Sequence, residues 1–153
     1  MEIERKFLVG EIPEEIKLAE CKKRKIEQGY LCTEPVVRVR RDNDEYYLTY
    51  KAKGMMIREE YNLPLTKEAY DKLIKKAEGN IITKTRYEIP EKDNLTIELD
   101  IFEGDFAGLL LAEVEFDTKE AALSYIPPSW FGTDVTRDPR YHNSNMSMMS
   151  LHN

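Results

Sequence analysis

Alternation with a period of two dominates this chain. From Glu2 to Val9, Glu2, Glu4 and Lys6 share one face of an extended segment, and Ile3, Phe7 and Val9 share the other, with Arg5 the one charged residue among them. Residues Ala19–Cys32 also read as extended, with Ile26, Tyr30 and Leu31 following a basic run, and their imperfect alternation predicts a bulge. After Pro35, Val37 and Val39 oppose Arg38 and Arg40, and Asp42-Asn43-Asp44 makes a turn. Tyr46–Lys53 sets Leu48, Tyr50 and Ala52 against Tyr47, Thr49, Lys51 and Lys53 before Gly54 ends it. Ile57–Leu63 sets Arg58, Glu60 and Asn62 against Ile57, Tyr61 and Leu63, with Glu59 out of pattern and Pro64 as the stop. Three further strands follow: Asn80–Ile89 with Lys84, Arg86 and Glu88 on one face, Leu95–Phe102 with Glu98 and Asp100, and Leu110–Phe116 with Glu113 and Glu115.

The helical period is confined to short stretches. Ala69, Tyr70, Leu73, Ile74 and Ala77 recur at helical spacing after Thr66, which predicts a helix over Thr66–Ala77 with Thr66 as its cap and Gly79 as its stop. A second short helix is expected from Thr118 or Asp117 through Tyr125, ended by Pro127-Pro128, and an acidic turn or helix around Glu14–Leu18. Trp130 and Phe131-Gly132 read as core or lid packing. The Met/Ser/Asn-rich end is expected to be loosely held.

At 153 residues, 18.0 kDa and 41% hydrophobic content, the chain fits a single domain over 1–153 with room for a core. A formal net charge of -6 argues against a surface built to coat duplex nucleic acid, while leaving a local basic pocket open. No apolar run approaches the roughly 20 residues of a membrane span, and the first residues are charged rather than signal-like, so no membrane association and a cytoplasmic location are expected. Cys21 and Cys32 flank one extended segment and would lie roughly 35 Å apart, so reduced thiols are expected. His142 and His152 sit in the polar tail without partners at ligand spacing and read as incidental.

Nearly every strand thus carries a charged face backed by an apolar one. An open sheet with one wet side would do this, but here acids and bases are largely segregated by strand. About eight antiparallel strands can instead close into a barrel, turning the charged face inward and the apolar face out towards the helices. The expected architecture is α+β, an eight-stranded antiparallel closed barrel with a charged interior and helices packed outside. Unpaired buried charges cost several kcal/mol each, so such an interior calls for a multiply charged ligand. Carboxylate pairs suit hard divalent cations and Arg and Lys suit phosphate oxygens. Together they imply a metal-bound polyphosphate.

The ordered set Glu2-x-Glu4-x-Lys6, Ile26-x-Gln28-x-Tyr30-Leu31, Arg38-x-Arg40, Leu48-Thr49-x-Lys51-x-Lys53, Arg58 with Glu60, Lys84-x-Arg86, Glu98-x-Asp100-x-Phe102 and Glu113-x-Glu115 resembles the CYTH superfamily, the triphosphate tunnel metalloenzymes. The tail Asp134-Val135-Thr136-x-Asp138-x-Arg140-Tyr141-x-Asn143 is similar to that of its bacterial members. The resemblance implies hydrolysis of the terminal phosphate of inorganic tripolyphosphate or nucleoside triphosphates with Mg²⁺ or Mn²⁺. It implies that Glu2, Glu4, Glu113 and Glu115 hold metal, with Glu98 and Asp100 assisting. Lys6, Arg38, Arg40, Lys51, Lys53, Arg58, Lys84 and Arg86 would grip the phosphate chain, and Glu60 would orient water or a second metal, with Glu4 and Lys6 also serving the reaction. Within the family, adenylate cyclase and thiamine triphosphatase share these requirements, and a non-catalytic polyphosphate or nucleotide sensor is the competing reading from another class.

Overall fold

The structure, a computed structural model, describes residues 1–149. In chain order the elements are β1 (Glu2–Val9), β2 (Lys22–Thr33), β3 (Val36–Asp42), β4 (Glu45–Lys51), β5 (Ile57–Arg58), β6 (Glu60–Pro64), α1 (Lys67–Ile74), β7 (Glu78–Pro90), β8 (Thr96–Glu103), β9 (Leu110–Glu115), α2 (Lys119–Ser124), β10 (Phe131–Asp134) and α3 (Asn143–Ser147). The strands form an antiparallel sheet in the order β10-β1-β9-β8-β7-β2-β3-β4-β6, and β5 returns to pair with β1. That return nearly closes a barrel. The seam is short: Glu2 pairs with Arg58 and Ile3 with Ile57, and the Glu4 N–H donates to the Met56 carbonyl at 3.1 Å.

The expected strand Ile57–Leu63 is broken in two at Glu59, the residue whose charge disturbed the alternation. Its side chain is exposed, while Arg58 and Glu60 on either side line the interior. Counting β5 and β6 as one bent stave gives the expected eight around the barrel. The additional strand, β10, lies outside the ring on the far edge of β1.

The outward faces of β1, β7, β8 and β9 form an apolar layer of Ile3, Phe7, Val9, Ile89, Ile97, Leu99, Ala112 and Val114, covered by Ala122, Tyr125 and Phe131. Each large side chain buried there contributes about 1.5–3 kcal/mol. Arg5 belongs to this outward face. Its guanidinium donates to the Ala122 and Tyr125 carbonyls at 3.0 and 2.9 Å, where α2 ends, and pairs with Asp134 at 3.0 Å. It therefore satisfies helix-terminal carbonyls that would otherwise lack partners.

α1 is capped as expected, the Thr66 side chain accepting from the Ala69 N–H. It ends at Ile74 with Lys75 as its cap residue, short of Gly79. Gly79 instead lies in β7 with φ +69°, and a Cβ there would stand 2.1 Å from the Ser147 carbonyl oxygen. Glycine at this position lets α3 approach the barrel. Gly29 does the same for α1, because a Cβ on it would stand 2.8 Å from the Ile74 Cδ1. The second predicted helix is α2, capped by Thr118 through the Ala121 N–H.

The tail departs from expectation, and the charged interior gains an apolar end. The barrel is charged in only part of its bore, because Tyr30, Ile82, Phe102 and Leu111 join Val36, Val135 and Met146 in a second apolar cluster. The tail supplies its plug: Met146 is 1% exposed and Ser147 0%, so residues through α3 are docked rather than loose. Apolar side chains there cover a bore end that would otherwise be wet. Cys21 and Cys32 are free thiols, as expected. Among the described residues no helix is long and apolar enough to cross a membrane.

Candidate active site

Period-two alternation on the eight staves projects one polar side chain after another into a cavity of about 320 Å³. At roughly 30 Å³ per water this holds about ten waters, room for a short polyanion with its counter-ions. Glu2, Glu4 and Lys6 come from β1, Arg38 and Arg40 from β3, Lys51 from β4, Arg58 from β5, and Glu60 and Asn62 from β6. Lys84 and Arg86 come from β7, Glu98 from β8, and Glu113 and Glu115 from β9.

Two expected site residues lie elsewhere. Lys53 is exposed and only loosely paired with Glu34 at 3.9 Å, because β4 ends at Lys51 and the alternation stops with it. Asp100 is fully buried and does not line the cavity. It takes two hydrogen bonds from the Arg86 guanidinium, at 2.7 and 2.9 Å, and lies 2.7 Å from the Lys84 ammonium. Both of its oxygens are thus in contact with these two cations.

Other residues join the site without having been anticipated. Arg24 enters from the basic run of β2 and bridges Asp42 at 3.2 Å and Glu98 at 3.1 Å. Counting back in twos from Tyr30 through Gln28 and Ile26 reaches it, a signal masked by the neighbouring lysines. Tyr30 and Tyr47 also line the cavity. His142, expected to be incidental, does so too, together with Asn143 and Ser144. Its Nε2–H donates to the Thr136 carbonyl at 3.3 Å, and the Tyr141 carbonyl accepts from Lys6 Nζ at 2.9 Å. No local periodicity marks this stretch, since its place depends on tertiary docking. His152 lies outside the described residues.

Part of the wall is internally neutralised. Lys6 pairs with Glu113 at 3.4 Å and Lys51 with Glu2 at 3.0 Å. Burial pushes the Glu113 carboxyl up, but Lys6, Arg86 and Lys84 together hold it well below the usual carboxylate range. Burial pulls Lys84 down to about 7 against the attraction of Asp100, with Arg86 and Arg40 adding to the fall.

The remainder of the wall is uncompensated. Among the described residues Arg38, Arg40 and Arg58 have no carboxylate partner within 4.0 Å, and neither Glu4, Glu60 nor Glu115 has a cation. The Arg38 Nε is buried without any hydrogen-bond partner. Burial and the neighbouring Arg40 lower the Arg38 pKa. On the acidic side, burial together with Glu113 and Glu2 pushes Glu4 up to about 8. Glu2 is raised by burial despite Lys51, whose ammonium lies 3.0 Å from its Oε1. The cavity therefore presents an unmet demand for anion on its arginine side and for cation on its carboxylate side.

These carboxylates fit a hard divalent cation by donor type, since the acidic side offers oxygen alone. Glu4 facing Glu115 across β1 and β9 with no cation on either, and Glu4 crowded by Glu113 and Glu2, are the observations that support the fit. Among the described residues no three acidic, His or Cys side chains already converge on one ion-sized point.

A nearly closed antiparallel barrel with a polar bore, carrying cations against carboxylates, defines a protein built to hold a metal-bound polyanion. The CYTH domain profile matches residues 1–124, and the chain belongs to the CYTH family. An inorganic triphosphatase of Nitrosomonas europaea is 39% identical over 150 residues, covering 96% of this chain and 97% of that protein. An inorganic triphosphatase of Acetivibrio thermocellus is 39% identical over 124 residues, 78% of this chain and 77% of its own length. A crystal structure of an inorganic triphosphatase superposes with a TM-score of 0.73 at 37% identity, covering 98% of this chain and 96% of that one.

Proposed function

We propose that this protein is a divalent-metal-dependent triphosphatase, a single tunnel domain that releases the terminal phosphate of inorganic tripolyphosphate or a nucleoside triphosphate. The observation that carries this reading is the pairing of opposite unmet demands in one cavity, the guanidiniums of Arg38, Arg40 and Arg58 without a carboxylate partner and the carboxylates of Glu4, Glu60 and Glu115 without a cation. A simple anion-binding module needs only the first of these. The triphosphatase relatives support the same reading.

Arg38, Arg40 and Arg58, with Lys6, Lys51, Lys84 and Arg86, would hold the phosphate oxygens, and guanidiniums suit them because they offer forked donors. Glu2, Glu4, Glu113 and Glu115 would hold Mg²⁺ or Mn²⁺, with Glu98 nearby on the wall. The ion, when bound, supplies neutralisation of the phosphate charge and polarisation of its oxygens. The chain's own part is positioning and fixed electrostatics, which dominate phosphoryl transfer. Glu60 is partly exposed to the cavity, and burial, which would raise it, is outweighed by Lys51, by a hydrogen bond with the Glu2 carboxyl and by Arg38, so its carboxyl is lowered. It remains ionised as an acceptor that can orient a water against the phosphate chain. A product that leaves as pyrophosphate is stabilised by Lys and Arg, so the leaving group needs no histidine acid.

The apolar plug favours small triphosphate-bearing molecules entering from the polar end, and a cytoplasmic location suits such substrates. Adenylate cyclase chemistry uses the same cations. Incubation with ATP and Mn²⁺ followed by chromatography separates the two: orthophosphate is the expected product, and cyclic AMP as the main product overturns the assignment.

A further inference from the structure

We propose that Asn143, on the C-terminal plug, is a positioning residue that sets Lys84 and, through Gln28, Arg40 for the phosphate chain. The inference rests on the triphosphatase reading and assigns a task to a segment that lies beyond the CYTH profile match at residues 1–124. Asn143 Oδ1 accepts from Lys84 Nζ at 2.8 Å and from Gln28 Nε2 at 3.1 Å. Gln28 is fully buried, and its amide nitrogen also donates to the Tyr30 hydroxyl at 3.2 Å. With both amide donors directed at acceptors, its carbonyl oxygen faces Arg40 and accepts from Nε at 2.8 Å.

A reversed amide would set NH₂ against the Arg40 N–H, donor against donor. The Asn143 oxygen therefore fixes the Gln28 amide, and the amide fixes the guanidinium, leaving the terminal nitrogens of Arg40 for the cavity. Lys84 is held in the same way. Its ammonium has three donors, of which Asp100 at 2.7 Å and Asn143 at 2.8 Å take two, and the third is left for a ligand. Without Asn143, Lys84 is drawn to Asp100 alone and Arg40 loses its stop. Both cations then reach the phosphate chain with more freedom to lose on binding, which weakens ground-state grip before it alters chemistry.

The test is steady-state kinetics on tripolyphosphate with Mg²⁺ or Mn²⁺, with thermal melting of each variant. Asn143→Ala is expected to raise KM roughly tenfold or more, the scale of a lost hydrogen bond to a charged group, with kcat changed less than about threefold. Asn143→Ser, which keeps a small polar residue at the start of α3 but shortens its reach, gives the same split if the alanine variant folds poorly. The control is Asn145→Ala: Asn145 donates to the Pro139 carbonyl at 2.8 Å within the plug and is exposed. Its KM is expected to match wild type. An unchanged KM in both Asn143 variants, a fall in kcat at constant KM, or an equal KM rise in Asn145→Ala overturns the inference and leaves Asn143 a packing residue. A wild-type protein that releases no orthophosphate overturns instead the triphosphatase reading, and the inference falls with it.

Discussion

Glu4 shows how a single side chain carries the conflict built into the barrel. Its folded pKa, about 8, stands above the 4.5 of a free carboxyl because burial, Glu113 and Glu2 all oppose its charge. The stability it contributes is therefore fully present below about pH 4.5 and is lost as pH rises through about 8. In metal-free protein, Glu4→Gln is expected to remove that loss, so the difference in melting temperature between variant and wild type grows from pH 5 to pH 8.5. A divalent cation should shrink the difference by stabilising the ionised carboxylate, and thermal melts across pH with and without metal check both signs. A contrast on β4 is equally direct. Lys51→Ala is expected to lower kcat/KM on tripolyphosphate at least tenfold, whereas Lys53→Ala, on an exposed lysine beyond the strand end, should leave it within about twofold. Sequence spacing alone cannot make that distinction, since Lys51 and Lys53 share a parity and only the end of the ladder separates them. Asp100 likewise shares parity with Glu98, yet it is fully buried, with Arg86 and Lys84 on its two oxygens.

At the scale of elements, the staves were legible because a strand broadcasts its face at every second residue. Glu2-x-Glu4-x-Lys6 and Glu113-x-Glu115 prove to be paired neighbours, Glu4 opposite Glu115 and Lys6 opposite Glu113. Glu59 is instructive: the residue that spoiled the pattern marks the break where one stave bends to close the barrel between β4 and β1. The plug was not legible. Asn143–Ser147 has a single large apolar anchor, Met146, and its burial depends on the Ser147 carbonyl meeting a glycine on β7, more than sixty residues earlier. Gly79→Ala tests that contact. The added methyl meets backbone and also demands φ +69° of an L side chain, so a loss of about 1–3 kcal/mol is expected, with faster proteolysis confined to the C-terminal segment.

For the whole molecule, the usual arrangement is inverted. The main apolar layer lies between the barrel's outer face and α2 with its flanking chain, the polar groups lie inside, and a second apolar cluster seals one end of the bore. Such an interior holds charges that water or ligands must satisfy, and the arginine side and the carboxylate side ask for partners of opposite sign. A phosphate chain carrying a divalent cation meets both demands at once. The most direct measurement is orthophosphate release from tripolyphosphate by wild type and by Glu4→Ala, with Mg²⁺ or Mn²⁺ present and with a chelator. Wild type is expected to turn over only with metal, and Glu4→Ala, folded by its melting curve, to lose at least a hundredfold. Metal-independent turnover, or a folded Glu4→Ala protein that releases phosphate at the wild-type rate, contradicts the account.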